Sequence, residues 1–490
     1  MLVFISDLHI GDGSTGAILE PGAIDLVTDR LCDLAYRASW RAGGNYQPIE
    51  RIDLVLLGDV LDLIHSQRWL AGTARPWNDP LSTAVSETVA GIVDDILRRN
   101  VETIRRLRSL ATEPTVSVPQ ADQSGLPLVG VDELPVAVRT HYMVGNHDWL
   151  LHLKNPQYDI IRHKVAHHLG LANLHNRPFP HDASESEELL DTLRRHRALA
   201  RHGDIFDPLS CSEERDVASL ADAISIELVG RFLAEIETKL GAELPAAAMA
   251  GLKELDQIRP MLLVPVWIEG LLERTVKSLA LRKQVKQLWD GLVDDPLLEL
   301  EIVRQRNHDS PIDLIDGLAA ALKFSKRDTS DWAGRTLRWL ASIRGAGSDS
   351  YLMHALAEPD FRNRRARHIV YGHTHAAETV PLDASHADGY VLNQTYFNAG
   401  TLRRVYQPTQ SLAQHEFAAI ESLSLVALYQ ADERSGRPYE TWSGALAPCA
   451  VEPMAARSIA VTPSAQAAHA LKAPHFSGIP AARAATSRRT

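Results

Sequence analysis

Short apolar runs alternate with longer amphipathic stretches over the first 210 residues and again from about residue 366. The runs have the length and composition of strands that are buried on both faces of a sheet. They cover residues 2–6, 54–57, 139–144, 197–201 and 367–371. Apolar residues at helical spacing predict helices over 24–40 and 82–110. Because strands alternate with helices, the pattern predicts an α/β fold.

The middle of the chain has a different pattern. From about 212 to 342 the apolar spacing is helical almost throughout, and this block lies between two predicted strands. We therefore predict a core formed by 1–210 and 366–450 and a large inserted helical cap formed by 211–365. A length of 490 residues also favours two domains or one domain with a large insertion. From about Met454 the chain is rich in Ala, Ser, Pro and Arg and has no acidic residue, which predicts a disordered tail over 451–490.

The composition narrows the class of protein. Apolar residues make up 45% and charged residues 23% of the chain, as in ordinary globular proteins, and the formal charge of −11 argues against a protein that coats nucleic acid. The three cysteines (Cys32, Cys211 and Cys449) include no CxxC pair and favour a reducing compartment. We see neither a signal-peptide pattern nor an apolar stretch long enough to span a bilayer. The expected location is cytoplasmic, with peripheral membrane contact left open.

Each of the five predicted strands ends in residues that can bind a metal. These residues are Asp7 and His9, Asp59 and Asp62, Asn146 and His147, His202 and Asp204, and His373 and His375. Open α/β sheets bind ligands at the carboxyl ends of their strands. Residues i and i+2 of an extended segment project to one side, so Asp7 with His9, and His373 with His375, can each face one cavity. Carboxylate, amide and imidazole ligands without a thiol favour Mn, with Fe or Zn as the other candidates.

In order, the five ends read DxH, GDxxD, GNHD, HGD and GHTH. This series resembles the calcineurin-like metallophosphoesterase superfamily over about residues 1–210 and 366–405. The resemblance implies an αββα sandwich that holds two divalent metal ions, with Asp59 as the ligand that bridges them. It implies that Asp7, His9 and His375 complete the first metal site and that Asn146, His202 and His373 complete the second.

Two divalent ions about 3.5–4 Å apart can clamp the attacking and leaving oxygens of an in-line displacement at phosphorus. Beside them we predict a catalytic His147, which either hydrogen-bonds the phosphoryl oxygen or protonates the leaving group, and an Asp148 that orients its imidazole. Further candidates for ligand orientation or substrate contact are Asp62, Asp204, Arg403 and Arg404. The carboxylates are equally compatible with capping positions, and the arginines with exposed salt bridges.

These features predict a two-metal phosphoester hydrolase that acts on a phosphodiester or pyrophosphate of a nucleotide or nucleotide-lipid. The block between HGD and GHTH resembles the layout of the hydrolases that cleave UDP-2,3-diacylglucosamine, although it is far larger and His147 stands where many of them have arginine. One alternative is a DNA exo- or endonuclease of the double-strand-break repair type, which shares GNHD. The other is a non-catalytic interaction scaffold. A stable nucleic-acid complex is not expected, because the chain shows no clear basic stripe.

Overall fold

The computed structural model describes residues 1–16, 19–128, 130–207, 209–211, 214–259, 261–294, 348–387, 390–408 and 417–445. These residues belong to one compact unit, Met1–Ala447. They form helices together with parallel and antiparallel strands, so the predicted α/β class is confirmed. The predicted tail 451–490 and residues 295–347 of the predicted cap lie outside the described residues. None of the described helices is both long and apolar enough to cross a bilayer.

The strands are β1 (Leu2–Ile5), β2 (Arg51–Leu57), β3 (Ser117–Val118), β4 (Leu134–Pro135), β5 (Ala137–Met143), β6 (Ala198–Ala200), β7 (His368–Tyr371), β8 (Ala377–Ala387), β9 (Tyr390–Ala399), β10 (Arg404–Pro408), β11 (Phe417–Leu428) and β12 (Tyr439–Ala445). The larger sheet has the order β10-β11-β1-β2-β5, and β12 also pairs with β11. Within it β1, β2 and β5 run parallel, whereas β11 is antiparallel to β1. The smaller sheet has the order β6-β7-β9-β8, with β6, β7 and β9 parallel.

The α-helices are α1 (Pro21–Ala38), α2 (Thr83–Arg99), α3 (Val101–Thr112), α4 (Pro156–Leu169), α5 (Glu187–Arg195), α6 (Leu220–Ala223), α7 (Arg231–Leu240), α8 (Ala246–Lys253), α9 (Val264–Thr275), α10 (Leu279–Asp294), α11 (Ser348–Ala357) and α12 (Pro359–Arg362). A π-helical segment, Ile224–Gly230, lies between α6 and α7.

The single helix predicted over 82–110 is divided into α2 and α3. The division falls at Asn100, whose backbone angles depart from the α-helical values. Its side-chain amide donates to the carbonyls of Ile96 and Gly11.

Three hydrophobic clusters show how these elements are layered. The largest packs α1 to α4 on one face of the larger sheet, where alternate strand residues such as Leu54 point toward the helices. The next residue, Val55, belongs to a second cluster that also contains Phe397 of the smaller sheet, so this cluster lies between the two sheets. The third packs Ile369 of the smaller sheet against Leu352 of α11. The order of the layers is therefore helices, sheet, sheet, helices.

Helices α6 to α10 contribute to the same large cluster as α1 to α4. Residues 254–259, which lie between α8 and α9 and are called the docking segment below, connect them to the edge of the larger sheet. Ile258 forms a parallel bridge with Tyr406 of β10, and the N–H of Arg259 donates to the carbonyl of Tyr406 at 2.9 Å. Glu254 accepts a hydrogen bond from the Tyr406 hydroxyl at 2.7 Å. The segment therefore follows β10 closely.

Candidate metal centre

The loops that follow β1 and β2 are joined by backbone hydrogen bonds. The N–H of Asp7 donates to the carbonyl of Gly58 at 3.2 Å, and the N–H of His9 donates to the carbonyl of Asp59 at 2.8 Å. These bonds continue the parallel pairing of the two strands beyond their carboxyl ends. The side chains of the first two motifs are therefore held next to each other by main chain.

The loops that follow the strands of the smaller sheet contact the loop that follows β1. The N–H of Gly372, after β7, donates to the carbonyl of His202, after β6, at 2.8 Å. The N–H of His373 then donates to Oδ2 of Asp7 at 3.0 Å, and the hydroxyl of Thr401 donates to the carbonyl of Asp7 at 2.7 Å. Asp7 therefore joins the strand ends of the two sheets.

One group of buried side chains consists of Asp7, His9 and His375. Nε2 of His375 lies 3.1 Å from Nε2 of His9 and 3.2 Å from Oδ1 of Asp7. Ligand atoms about 2.1 Å from one ion lie about 3–3.4 Å from each other, so this spacing suits a shared cation. The structure thus brings together the three side chains that the resemblance implies for the first metal site, although they are distant in sequence.

A second group consists of Asp59, His202 and His373. Oδ2 of Asp59 lies 3.1 Å from Nε2 of His202, and it lies 3.6 Å from Nε2 of His9 in the first group. The carboxylate of Asp59 therefore stands between the two groups. Asn146, the remaining predicted ligand, is buried and directly follows Gly145, whose backbone lies against Asp59.

Backbone contacts set the orientation of His202. Its Nδ1 lies 2.9 Å from the carbonyl oxygen of Leu57. Because a carbonyl only accepts, Nδ1 must carry a proton, and Nε2 is the nitrogen that faces Asp59. Orientation of an imidazole by a carbonyl on its far nitrogen is common among metal ligands.

Unpaired polar atoms show that the residues fit a bound cation. In the described part of the chain, Oδ1 of Asp7, Oδ1 of Asn146 and Nε2 of His202 are buried without a hydrogen-bond partner. His202 and Asp59 are close but not aligned as a hydrogen bond, as expected for two atoms that face a common third partner. A buried unpaired polar group costs about 1–3 kcal/mol. Divalent cations would satisfy all of these atoms, and their oxygen and imidazole chemistry suits Mn, Fe or Zn.

The candidate ligand residues lie on strained backbone. The φ angles are +56° at Asp7, +44° at His9, +52° at Asp59, +69° at His373 and +59° at His375. Left-handed backbone is uncommon for residues with a side chain, and it concentrates at functional sites. The expectation that these pairs lie on extended segments is therefore wrong, since sharp turns after the strands aim the side chains instead. Those turns place His373 and His375 in different groups.

Two glycines leave room for the ligands. A Cβ on Gly145 would lie 2.3 Å from Oδ1 of Asp59 and 2.6 Å from Cδ2 of His202. A Cβ on Gly58 would lie 2.4 Å from Nδ1 of His202, and Gly58 has a φ of +82°. The glycines of the second and third motifs are thus required by the close approach of side chains from neighbouring strands.

His147 is held between carboxylates. Its Nδ1 lies 3.2 Å from Oδ1 of Asp62, whose Oδ2 lies 2.8 Å from Nδ1 of His65. Burial acts to raise the pKa of Asp62, but the charges of His65 and His147 hold it well below its usual value. For His147 burial acts to lower the pKa, but Asp59 and Asp62 raise it to about 9. The ring of His147 packs edge-on against His9, with centroids 4.6 Å apart, so it adjoins the first group.

Asp148 has other partners than the predicted ones. Its Oδ2 accepts from the N–H of Val60 at 2.8 Å and from the hydroxyl of Tyr142 at 2.6 Å, and its Oδ1 accepts from the N–H of Gly145 at 2.6 Å. Burial and the charge of Asp59 raise the pKa of Asp148 to about 7. These bonds place Asp148 beneath the loops after β2 and β5, where it fixes their backbone. The carboxylate that orients the imidazole is Asp62.

Two further candidates lie in ion pairs. Both carboxylate oxygens of Asp204 accept from Nη2 of Arg215, at 3.2 and 3.1 Å. Arg404 pairs with Glu421 of β11, and its Nη1 donates to Glu254 of the docking segment at 3.3 Å. Asp204 and Arg404 thus fix surrounding segments, and neither belongs to the two ligand groups.

Two residues of the docking segment reach the site without having been predicted. Nη2 of Arg259 lies 3.3 Å from Nε2 of His375. Oδ2 of Asp256 accepts a hydrogen bond from Nη2 of Arg403 at 2.6 Å, so the candidate Arg403 lies against the docking segment. The only sequence signal is a pair of charged residues shortly before Pro260, between two amphipathic helices.

Comparisons of the chain with protein-family models, with curated proteins and with solved structures gave no match. The fold and the side chains themselves define a buried centre of carboxylates and imidazoles at the carboxyl edge of a mixed α/β structure.

Proposed function

We propose that this chain is a two-metal phosphoester hydrolase with the αββα sandwich of calcineurin-like metallophosphoesterases and a helical cap. One observation carries the proposal: four strand ends supply two groups of metal-ligand type, and Asp59 stands between them. The fifth strand end adds Asn146, whose Oδ1 is buried without a hydrogen-bond partner among the described residues. The order of layers supports the fold, because two sheets pack face to face with helices outside them.

The chemistry follows from the charge of the substrate. A phosphodiester or pyrophosphate is anionic and repels an anionic nucleophile. When bound, two divalent ions, most simply Mn, neutralise this charge and lower the pKa of water. The residues that would hold them are Asp7, His9 and His375 for the first ion, Asn146, His202 and His373 for the second, and Asp59 for both.

His147 is the residue proposed to act on the substrate. Asp62 holds its Nδ1 side at 3.2 Å, which leaves the Nε2 side for the substrate. A protonated imidazole in this position donates a hydrogen bond to a phosphoryl oxygen or a proton to the leaving oxygen. Asp62 and His65 fix the ring and are positioning residues.

The proposed substrate is a phosphodiester or pyrophosphate of a nucleotide or nucleotide-lipid. This part of the proposal is supported by the layout of the chain, in which a helical block lies between the HGD and GHTH motifs. The docking segment adds to this support, since it places part of that block beside His375.

Metal analysis combined with hydrolysis of bis-p-nitrophenyl phosphate tests the proposal. Protein stripped with a chelator and reloaded with Mn should bind two ions per chain and release nitrophenolate. Neither metal nor turnover would refute the enzyme and favour an interaction scaffold. A substrate panel of UDP-diacylglucosamine, small nucleotide diesters, phosphoproteins and DNA ends then ranks the substrates, and activity on DNA ends alone would favour the nuclease alternative.

A further inference from the structure

The docking segment brings a fixed positive charge to the candidate metal centre from outside the five motifs. Nη1 of Arg259 donates to the carbonyls of Asp256 at 2.6 Å and Ile258 at 3.1 Å. The backbone N–H of Arg259 is itself bonded to Tyr406 of β10. These bonds hold the guanidinium in one orientation and direct Nη2 to within 3.3 Å of Nε2 of His375.

A second guanidinium adjoins the first. Arg403 is 6% exposed, and Nη2 donates to Oδ2 of Asp256 at 2.6 Å. In the part of the chain that the structure describes, its Nε and Nη1 are buried without a hydrogen-bond partner. Buried donors without an acceptor are unfavourable, and so is the repulsion between Arg403 and Arg259, which interact electrostatically. An oxyanion would relieve both.

The local charge balance also favours an anion. Asp256 is the carboxylate that binds Arg403 directly. The other carboxylates that act on Arg259 are Asp7 and Asp59, and in the proposed function both are ligands of the metal ions. Asp256 also lies within 4.8 Å of Asp62 and His65, but the charge of Asp62 is held by His65 and His147. Two guanidinium groups then share the carboxylate of Asp256, so the pair keeps a net positive charge.

We propose that Arg259 and Arg403 form an oxyanion subsite beside the metal ions, which binds phosphate oxygens of the substrate. Arg259 contacts the phosphate, and Asp256 is a positioning residue that holds both arginines. Guanidinium groups suit this role because their N–H donors match the oxygens of phosphate in a fork. The subsite rests on the proposed function, and it makes the middle helical block part of the substrate site.

Calorimetric titration of the Mn-loaded full chain with inorganic phosphate tests the subsite. Arg259→Gln should weaken phosphate binding at least about 10-fold while the metal content stays at the wild-type value. Arg259→Lys keeps the charge without the fork, and it should recover part of the affinity. Arg282→Gln is the matched control, since this arginine of the same block donates to the carbonyls of Val276 and Glu273. It should bind phosphate within about twofold of wild type.

Three results would overturn the subsite: Arg259→Gln with wild-type phosphate affinity, an equal loss in Arg282→Gln, or loss of metal from both Arg259 variants. Thermal melts of each variant identify unfolding, and Arg259→Lys remains informative if the glutamine variant does not fold. Hydrolysis of bis-p-nitrophenyl phosphate is scored separately. Phosphate binding that depends on Arg259 without any hydrolysis would refute the hydrolase and leave the subsite standing. Hydrolysis with phosphate binding that is indifferent to Arg259 would refute only the subsite.

Discussion

Nδ1 of His147 lies 3.2 Å from Oδ1 of Asp62, and this contact ties the proposed catalytic imidazole to the second carboxylate of the GDxxD motif. Asp62 is buried and also holds His65, so it is a shared support for two imidazoles. This contact gives the spacing of the motif a physical reason: the first aspartate faces the two candidate ligand groups, and the second faces His147, the residue proposed to act on the substrate.

Replacing Asp62 with asparagine should lower kcat about 10- to 100-fold without loss of metal, because the imidazole of His147 loses its charged partner but the ligand groups stay intact. Steady-state kinetics and metal analysis on the same preparation measure this. Asp33→Asn, at an exposed carboxylate on α1, is the control and should behave as wild type. Metal loss in Asp62→Asn would instead make Asp62 part of the metal sites.

Asp59→Asn should weaken metal binding at both sites by more than about 100-fold, because one residue stands between the two ligand groups. Metal content after dialysis is the measurement. His147→Ala is the matched comparison: it should retain both ions and lose about 10²- to 10⁴-fold in kcat. If the alanine variant lost an ion, or if the asparagine variant kept one at wild-type affinity, this division of roles would be wrong.

Gly145→Ala should weaken metal binding about 10- to 100-fold although it changes no ligand, because the new Cβ would lie 2.3 Å from Oδ1 of Asp59. Metal titration followed by thermal melts measures both the affinity and the stability. Gly22→Ala, at a helical glycine of α1 where a Cβ meets nothing within 4 Å, should bind metal normally and melt at or above the wild-type temperature. Equal metal affinity in the two variants would contradict the crowding argument.

Two buried histidines distant from the ligand groups should make the fold sensitive to acid. Burial lowers the pKa of His196 to about 4 and that of His368 to about 3. The unfolded chain protonates such groups near pH 6.5 while the folded chain does not, so stability is full above that pH and falls as the pH drops toward about 4. The loss from His196 is about 3 kcal/mol at most.

Urea unfolding of the chelated protein between pH 7 and pH 5 checks this. His196→Gln should flatten the decline of the unfolding free energy with falling pH. His163→Gln, at an exposed histidine of α4, should leave the slope unchanged. A wild-type slope in His196→Gln would mean that other groups carry the acid sensitivity.

The motif-bearing strands could be located from sequence because buried strands leave a local trace. The runs predicted at 2–6 and 367–371 correspond to Leu2–Ile5 and His368–Tyr371. Apolar runs that end in a turn mark a strand whatever its neighbours are. The break at Asn100 was not visible, because it depends on a side-chain bond to Gly11, 89 residues away.

The candidate ligands were visible for the same reason, since each follows its strand directly. Arg259 and Asp256 were not, because their partners His375 and Arg403 lie 116 and 147 residues further along the chain. The partners of Asp148 could not be predicted from the sequence for a different reason. It is next to His147 in sequence, but the turn sends the two side chains to different partners, and no periodicity describes such a turn.

His9 and His375 meet at 3.1 Å across 366 residues of chain, which has a consequence for biosynthesis. As the chain leaves the ribosome, the first strand and its imidazole emerge long before the imidazole that completes their group. Contacts of such long range require closure of a long loop of chain, which costs conformational entropy and makes them slow to form. A nascent or truncated chain therefore cannot assemble the complete first group. In the proposed function, metal uptake would then mark a completely folded molecule, so the fraction of chains that carry metal would report how much of the newly made protein has folded to completion.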